Sequence, residues 1–312
     1  QSRGARLFEQ VAATEPLLAP DGWTAGIRAV GTDERGRKVG PDMEFRAPLV
    51  VACDGVSSRI AVAHGAEKRD DRPMGVAVRT YHSSPRHDDD YIESWLELRE
   101  ADGGALPGYG WLFPLGDGTV NVGLGILDTS PQFGEVNYRT VLDEWLAAMG
   151  HEWGIDADTR LTPVRSAALP MAFNRTPHFR DGLLLVGDSA GMVSPFNGEG
   201  IDYALEAARI AAEVIDTRRR LPRDRWRAGL QEYPQIVRDR FGGHFTLGRA
   251  FAQLIGRPEV MDLGIKYGMG VDVLMRFAVR LLGNIHREGA DADAMDHVIA
   301  ALTRAVPATT ND

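Results

Sequence analysis

The stretch with the clearest chemical potential is Gly187-Asp188-Ser189-Ala190-Gly191-Met192-Val193-Ser194-Pro195-Phe196-Asn197-Gly198-Glu199-Gly200-Ile201. It joins a short apolar run, Gly182 to Val186, to a segment in which Ile201, Ala204, Leu205, Ala208, Ala212 and Ile215 recur at helical spacing. A carboxylate at the end of a buried strand, here Asp188, can accept hydrogen bonds from ribose or ribitol hydroxyls. Gly187, Gly191, Gly198 and Gly200 let backbone N–H groups approach a ligand closely. A helix opening at Gly200-Ile201 directs the positive end of its dipole at that ligand. This suits the pyrimidine end of an isoalloxazine, where negative charge collects on reduction. Taken alone, the same residues also fit a glycine-rich strand-to-helix connection with a capping aspartate.

Two further segments carry chemistry. Cys53-Asp54-Gly55-Val56-Ser57-Ser58-Arg59 ends the apolar run Leu49 to Cys53, and places Asp54 and Gly55 where a ligand or a helix cap would need them. In Pro107-Gly108-Tyr109-Gly110-Trp111-Leu112-Phe113-Pro114, the residues Tyr109, Trp111 and Phe113 alternate and so share one face of a strand that Pro114 closes. They are either core aromatics or the wall of a long apolar pocket. Cys53, the single cysteine, reads as a small core residue, since no second thiol exists to resolve an oxidised form.

Elements that position these segments follow from patterning. Strands are expected at Ala5 to Glu9 after a helix ending at Gly4, at Trp23 to Val30 and at Leu49 to Cys53, with a hairpin turn at Thr32 to Gly36. Gly75 to His82, Tyr91 to Leu98, Gly110 to Phe113 and Thr119 to Leu127 read as an antiparallel sheet, on which a helix from Tyr138 to Met149 packs through Val141, Leu142, Trp145, Leu146 and Met149. From Arg223 the chain is helical, broken at Gly256-Arg257-Pro258 and Gly268-Met269-Gly270, and only Thr309 to Asp312 has the texture of a loose tail. The fold class is therefore α/β: a split nucleotide-binding domain (1–73 and 161–222), an inserted antiparallel-sheet substrate domain (74–160) and a helical C-terminal region (223–312).

In this order the motifs resemble those of the hydroxybenzoate-hydroxylase-like flavoproteins, and within them the geranylgeranyl reductase family. Gly-Asp-Ser-Ala-Gly with Pro-Phe-Asn-Gly-Glu-Gly-Ile resembles the second FAD motif, Cys53 to Arg59 the Asp-Gly motif, and Tyr109 to Pro114 the substrate-side motif. The stretches Met74 to Leu98, Gly108 to Leu127 and Ala167 to Ala204 are similar to the actinobacterial branch that acts on menaquinone. The resemblance implies FAD held by Asp54, Gly55, Gly187, Asp188, Gly191, Pro195, Gly198, Gly200 and Ile201, and an isoprenoid chain against Tyr109, Trp111, Phe113 and Pro114. It implies saturation of an isoprenoid double bond, in the tail of menaquinone or of a geranylgeranyl lipid, by hydride from reduced flavin. NADPH or a reduced redox protein would supply the electrons. A flavin monooxygenase or halogenase of the same fold, and a non-catalytic lipid-binding relict, are the alternatives. The family's first motif, a Gly-x-Gly-x-x-Gly turn, has no match here. The expectation is thus an N-terminally truncated Rossmann-like domain that lacks an opening unit of about 30 residues, binds FAD poorly and is inactive as it stands. No residue is assigned as catalytic.

Bulk properties narrow the partners. With 35 basic and 44 acidic residues, the chain of 312 residues carries a formal charge of −9, which disfavours nucleic acid. The eight histidines lack paired metal-ligand spacing, and no metal is expected. No run approaches the ~18 apolar residues of a membrane span. The location expected is the cytoplasm, with peripheral contact to the inner face of the cell membrane as an option. Phe241 to Ile285 reads equally as a helical cover on the core and as a membrane-surface helix.

Overall fold

The computed structural model describes residues 4–99, 106–129, 133–287 and 289–311. An antiparallel meander opens it: β1 (Val11–Leu18), β2 (Thr24–Thr32) and β3 (Lys38–Arg46), in that order across the sheet. The turn expected at Thr32 to Gly36 is present, closed by the Asp33 N–H donating to the Arg37 carbonyl at 2.9 Å. Its second strand, however, is β3 and not Leu49 to Cys53. Most of β3 is exposed, so its pairing with β2 defines it where apolar alternation does not. Nor is Ala5 to Glu9 a strand: Leu7 and Phe8 are exposed and pairing begins at Val11.

Next come β4 (Val50–Ala52), the short helix α1 (Arg59–Ala63) and β5 (Glu67–Lys68). The chain then forms most of a second sheet from β6 (Met74–Ser83), β7 (Glu93–Trp95), β8 (Gly108–Pro114) and β9 (Thr119–Leu127). After α2 (Tyr138–Met149), β10 (Arg165–Pro170) completes it, in the order β10-β6-β9-β8-β7. The strand expected over Tyr91 to Leu98 shrinks to Glu93–Trp95, and Tyr91 is 81% exposed. α2 begins where its sequence suggests, because the Asn137 side chain accepts hydrogen bonds from the Arg139 and Thr140 N–H groups. It buries Val141, Leu142, Trp145, Leu146 and Met149 against Val78, Leu112, Val122 and Leu124 of the sheet. Each such side chain contributes about 1.5–3 kcal/mol.

The chain returns through β11 (Arg175–Thr176), paired with β5, and β12 (Phe179–Arg180) to β13 (Leu183–Leu185), which runs parallel to β4. From there the chain is helical: α3 (Ile201–Arg218), α4 (Arg223–Gly229), α5 (Glu232–Ile255), α6 (Pro258–Gly268), α7 (Asp272–Leu282) and α8 (Ala294–Ala305), with the breaks where glycine and proline cluster. On α3 the expected apolar face is the wrong one. Tyr203, Ala207, Ile210, Ala211 and Val214 are buried, while Ile201 and Leu205 are 76% and 69% exposed. The reason is α5, whose Phe241 and Phe245 meet the Tyr203 ring at 5.2 and 5.1 Å and draw that side inward. The C-terminal residues are docked: Asn311 is 1% exposed and its Nδ2 donates to the Pro234 carbonyl at 2.7 Å, while Asp312 lies outside the described residues.

Candidate cofactor and substrate site

The parallel pair β4–β13 sets Ala52 opposite Leu185, so the Asp-Gly and Gly-Asp motifs leave adjacent strand ends together. That is where a parallel α/β sheet offers a ligand crevice. Hydrogen bonds stitch the two turns. Ser189 Oγ donates to the Ala52 carbonyl at 2.6 Å, Ser58 Oγ to the Ser189 carbonyl at 3.0 Å, and the Val186 N–H also to Ala52. Gly187 has φ +68°, and a Cβ there would lie 3.0 Å from the Ala204 methyl, so glycine is what lets α3 pack this close to the turn. The Gly191 N–H donates to the Asp188 carbonyl and Gly198 N–H to Ser194, folding the loop through Pro195 back to Gly200 at the start of α3.

Several polar groups on this edge lack protein partners. Asp54 Oδ2 accepts from the Ile60 N–H, but Oδ1 is buried and unpartnered. Arg175 Nη2 donates to the Val56 carbonyl, yet its buried Nε has no acceptor; burial lowers its pKa, an effect the Asp54 charge only partly offsets. The half-buried Asp188 carboxylate has no partner among the described residues, and burial raises its pKa. Buried polar atoms left unpaired cost about 1–3 kcal/mol each. Two acceptors and a guanidinium, set beside the open space over Gly55, fit the ribityl hydroxyls and pyrophosphate of FAD. Cys53, expected in the core, is exposed, and its thiol is pushed up by partial burial and by Asp54.

The helix dipole plays a smaller part than the sequence suggested. Glu199 Oε1 accepts from the Ile201 and Asp202 N–H groups at 2.6 and 3.0 Å, and Asp202 Oδ1 from that of Tyr203. The first-turn donors of α3 are therefore taken by the chain's own carboxylates. Glu199 was not singled out by sequence, although an acid two residues before a helix was visible. Burial, then the hydrogen bond and charge of Asp202, push its pKa up to about 7.

The aromatic row lies on the sheet face opposite α2. Leu112 is fully buried under α2, whereas Tyr109, Trp111 and Phe113 point the other way and stay partly exposed, as does Pro114 at the strand end. Trp111 and Phe113 stack with centroids 6.0 Å apart, and Tyr109 sits 6.0 Å from Trp111. Trp111 Nε1 donates to Asn121 Oδ1 at 3.0 Å. A Cβ at Gly123 would lie 2.3 Å from the Trp111 ring, so that glycine lets the indole lie flat on β9. The Tyr109 hydroxyl donates to the Asn197 carbonyl, tying this row to the loop between Pro195 and Gly200. Burial, and the nearby Glu199 charge, push Tyr109 up to about 12, which removes it as an acid near neutral pH.

Comparison with known proteins places this geometry. A model of the family described as FAD binding domain matches residues 18–215. The menaquinone reductase of Mycobacterium tuberculosis (strain ATCC 25618 / H37Rv) is 38% identical over 237 residues, 76% of this chain and 55% of that protein. Digeranylgeranylglycerophospholipid reductase 2 of Methanothermobacter thermautotrophicus is 35% identical over 180 residues, 56% of this chain and 43% of that protein. The chain thus spans about half the length of the curated relatives it matches. Among solved structures, a geranylgeranyl bacteriochlorophyll reductase-like protein from Thermoplasma acidophilum has a TM-score of 0.64 at 18% identity, over 94% of this chain and 69% of the other. The flavin-dependent brominase Bmp2 has a TM-score of 0.59 at 15% identity, over 95% and 69%. These two share the fold.

Proposed function

The chain belongs to the FAD binding domain family, and from that premise we propose that the intact protein reduces a carbon–carbon double bond of an isoprenoid chain, such as the tail of menaquinone. The observation that carries this reading is the aromatic row Tyr109, Trp111 and Phe113 on the open sheet face, tied to the cofactor loop by the Tyr109–Asn197 hydrogen bond. A long substrate with few polar atoms needs such a wall and little else. The names of the relatives, which refer to menaquinone and to a digeranylgeranyl phospholipid, support it.

FAD, when bound, supplies the hydride that an isolated alkene carbon accepts. Asp188 and Asp54 would accept from its hydroxyls, Arg175 would hold its phosphates, and Gly55, Gly187, Gly191, Pro195, Gly198, Gly200 and Ile201 would shape the backbone around it. Tyr109, Trp111, Phe113 and Pro114 hold the chain in place and keep water out, so that placement does most of the catalytic work. The other alkene carbon needs a proton. Glu199, with a pKa near neutrality and a position beside Asn197, is the group we assign to hold it. NADPH or a reduced redox protein serves as electron donor in this reading.

The same reading needs access to a lipid surface. Among the described residues no helix is long and apolar enough to cross a membrane. α7 nevertheless has no buried residue, and Val273, Leu274 and Val279 on it are 49–69% exposed, with Leu263 and Tyr267 of α6 alongside at 60% and 63%. These helices are the face we assign to a peripheral membrane contact.

The test uses the intact protein. After its flavin spectrum is recorded, it is reduced without oxygen, incubated with menaquinone, and the product weighed. A two-hydrogen gain in the isoprenoid tail supports the reductase. Flavin-bound protein that leaves the tail unchanged while consuming oxygen with another lipid overturns it, and so does protein that takes up no flavin.

A further inference from the structure

A cavity of about 720 Å³ is lined by α5, by residues 284–287 and 289–292, and by α8, none of them residues assigned above to the cofactor or to the aromatic row. At its inner end is His244, 2% exposed, with neither ring nitrogen hydrogen-bonded. Its neighbour on the lining, His286, has a buried and unpartnered Nδ1. Arg287 and Arg304 also line the cavity. The Arg287 guanidinium has no carboxylate partner among the described residues, and Arg304 uses only its Nε, on the Ala300 carbonyl at 3.1 Å. The two acids on the lining are otherwise engaged. Asp296 accepts from Arg280 at 3.0 Å and from the Asp293 N–H, and Asp239 accepts from Gln235 Nε2.

We propose that this cavity binds a phosphate-type oxyanion, held by Arg287 and Arg304 and by the imidazoles of His244 and His286. Two guanidinium groups on separate elements, with two imidazoles below them, offer donors from several directions. That matches an oxyanion with three or more acceptor oxygens better than a planar carboxylate. Burial, then the nearby His286, lower the His244 pKa to about 4, so its ring is neutral and presents one donor and one acceptor to a ligand. The phosphate can arrive on a lipid headgroup or on a soluble compound. The segment carrying Asn284, His286 and Arg287 follows directly from α7, the helix with the exposed apolar face, which puts the cavity next to the surface a lipid would approach. His244 also packs on Phe196 of the cofactor loop, centroids 4.7 Å apart, so an occupant would touch the wall behind that loop. The inference goes beyond the reductase reading and does not depend on it.

The test is calorimetry of the intact protein at low salt with inorganic diphosphate, alongside sedimentation with phosphatidylglycerol and with phosphatidylcholine vesicles. Arg287→Gln and Arg304→Gln, both exposed changes, should each weaken binding about tenfold, and His244→Phe, which keeps the ring packing on Phe196, by a smaller factor. Arg35→Gln, on the distant hairpin turn, should leave it unchanged. Saturable diphosphate binding that these substitutions weaken supports the site with a soluble ligand. Selective sedimentation with phosphatidylglycerol, lost in the same variants, supports it with a lipid headgroup. No saturable binding in any arm, or binding indifferent to all three substitutions, overturns it. The flavin spectrum and menaquinone reduction are read separately in each variant, so failure of the reductase reading is told apart from failure of this one.

Discussion

Asp188 and Glu199 lie on the same loop, eleven positions apart, yet their surroundings ask different things of them. Asp188 is desolvated with no protein partner, so its acceptor capacity is left for a ligand. Asp188→Ala should lower FAD affinity by about tenfold or more, as loss of hydrogen bonds to a charged acceptor does. The absorbance ratio of bound flavin to protein measures this, and unchanged occupancy would remove Asp188 from the site. Glu199 has a folded pKa of about 7 against an unfolded value near 4.5. The folded state thus holds a proton that the unfolded state releases, and stability falls as pH rises from about 4.5 to 7. Glu199→Gln should abolish that fall, which we put at about 1 kcal/mol after allowing for partial exposure. Urea unfolding at pH 5 and pH 8 reads it, and parallel behaviour of the two proteins would refute it. Both aspartates of the site were legible in sequence because strand ends and glycines mark them. Glu199 was not, since its raised pKa comes from burial in the folded loop and from Asp202.

The elements around the site were legible to different degrees. α2 and β9 follow patterning because each has one buried face, and periodicity records that directly. Trp145→Ala should cost about 3–5 kcal/mol, as large aromatic deletions from packed positions do. Thermal unfolding of the variant checks this, and a loss below about 1 kcal/mol would mean that α2 is not anchored through that residue. Gly123→Val should displace Trp111 and reduce activity on the isoprenoid substrate more than it reduces flavin content. Equal losses of both would count against the aromatic row as a substrate wall. β3 and the inner face of α3 escaped the sequence reading. The first is a polar edge strand defined by its partner, and the second shows apolar residues on both sides, so only the position of α5 decides which side turns inward. α7 poses the same difficulty in reverse. Its apolar residues read equally as core and as lipid-facing, and the fold leaves all of them short of burial. Leu274→Asp combined with Val279→Asp should reduce vesicle binding while leaving the melting temperature within a few degrees. A large drop in melting temperature would instead make α7 part of the core.

Across the whole molecule, the last residues link parts far apart in the chain. Asn311 Nδ2 meets His178 Nδ1 at 3.1 Å, Thr310 accepts from Arg72, and Thr309 N–H donates to the Gly242 carbonyl. Burial lowers the His178 pKa to about 3, so below about pH 6.5 the unfolded chain takes up a proton that the folded chain refuses, and stability falls toward acid. Asn311→Ala should destabilise by about 1–3 kcal/mol by leaving buried groups unpaired. Chemical unfolding near pH 7 measures this, and no change would show that the tail is incidental. The sequence by itself determined the α/β class, the glycine-marked strand ends at Asp54 and Asp188, and the alternation that puts Tyr109, Trp111 and Phe113 on one face, because each is a local pattern of residue types. Only the tertiary structure decided that this face is the open one, that Glu199 caps α3 and becomes a weak acid, that the tail is docked, and that His244 is buried without a partner. Those properties depend on what a residue meets from elsewhere in the chain, and spacing along the chain does not encode them.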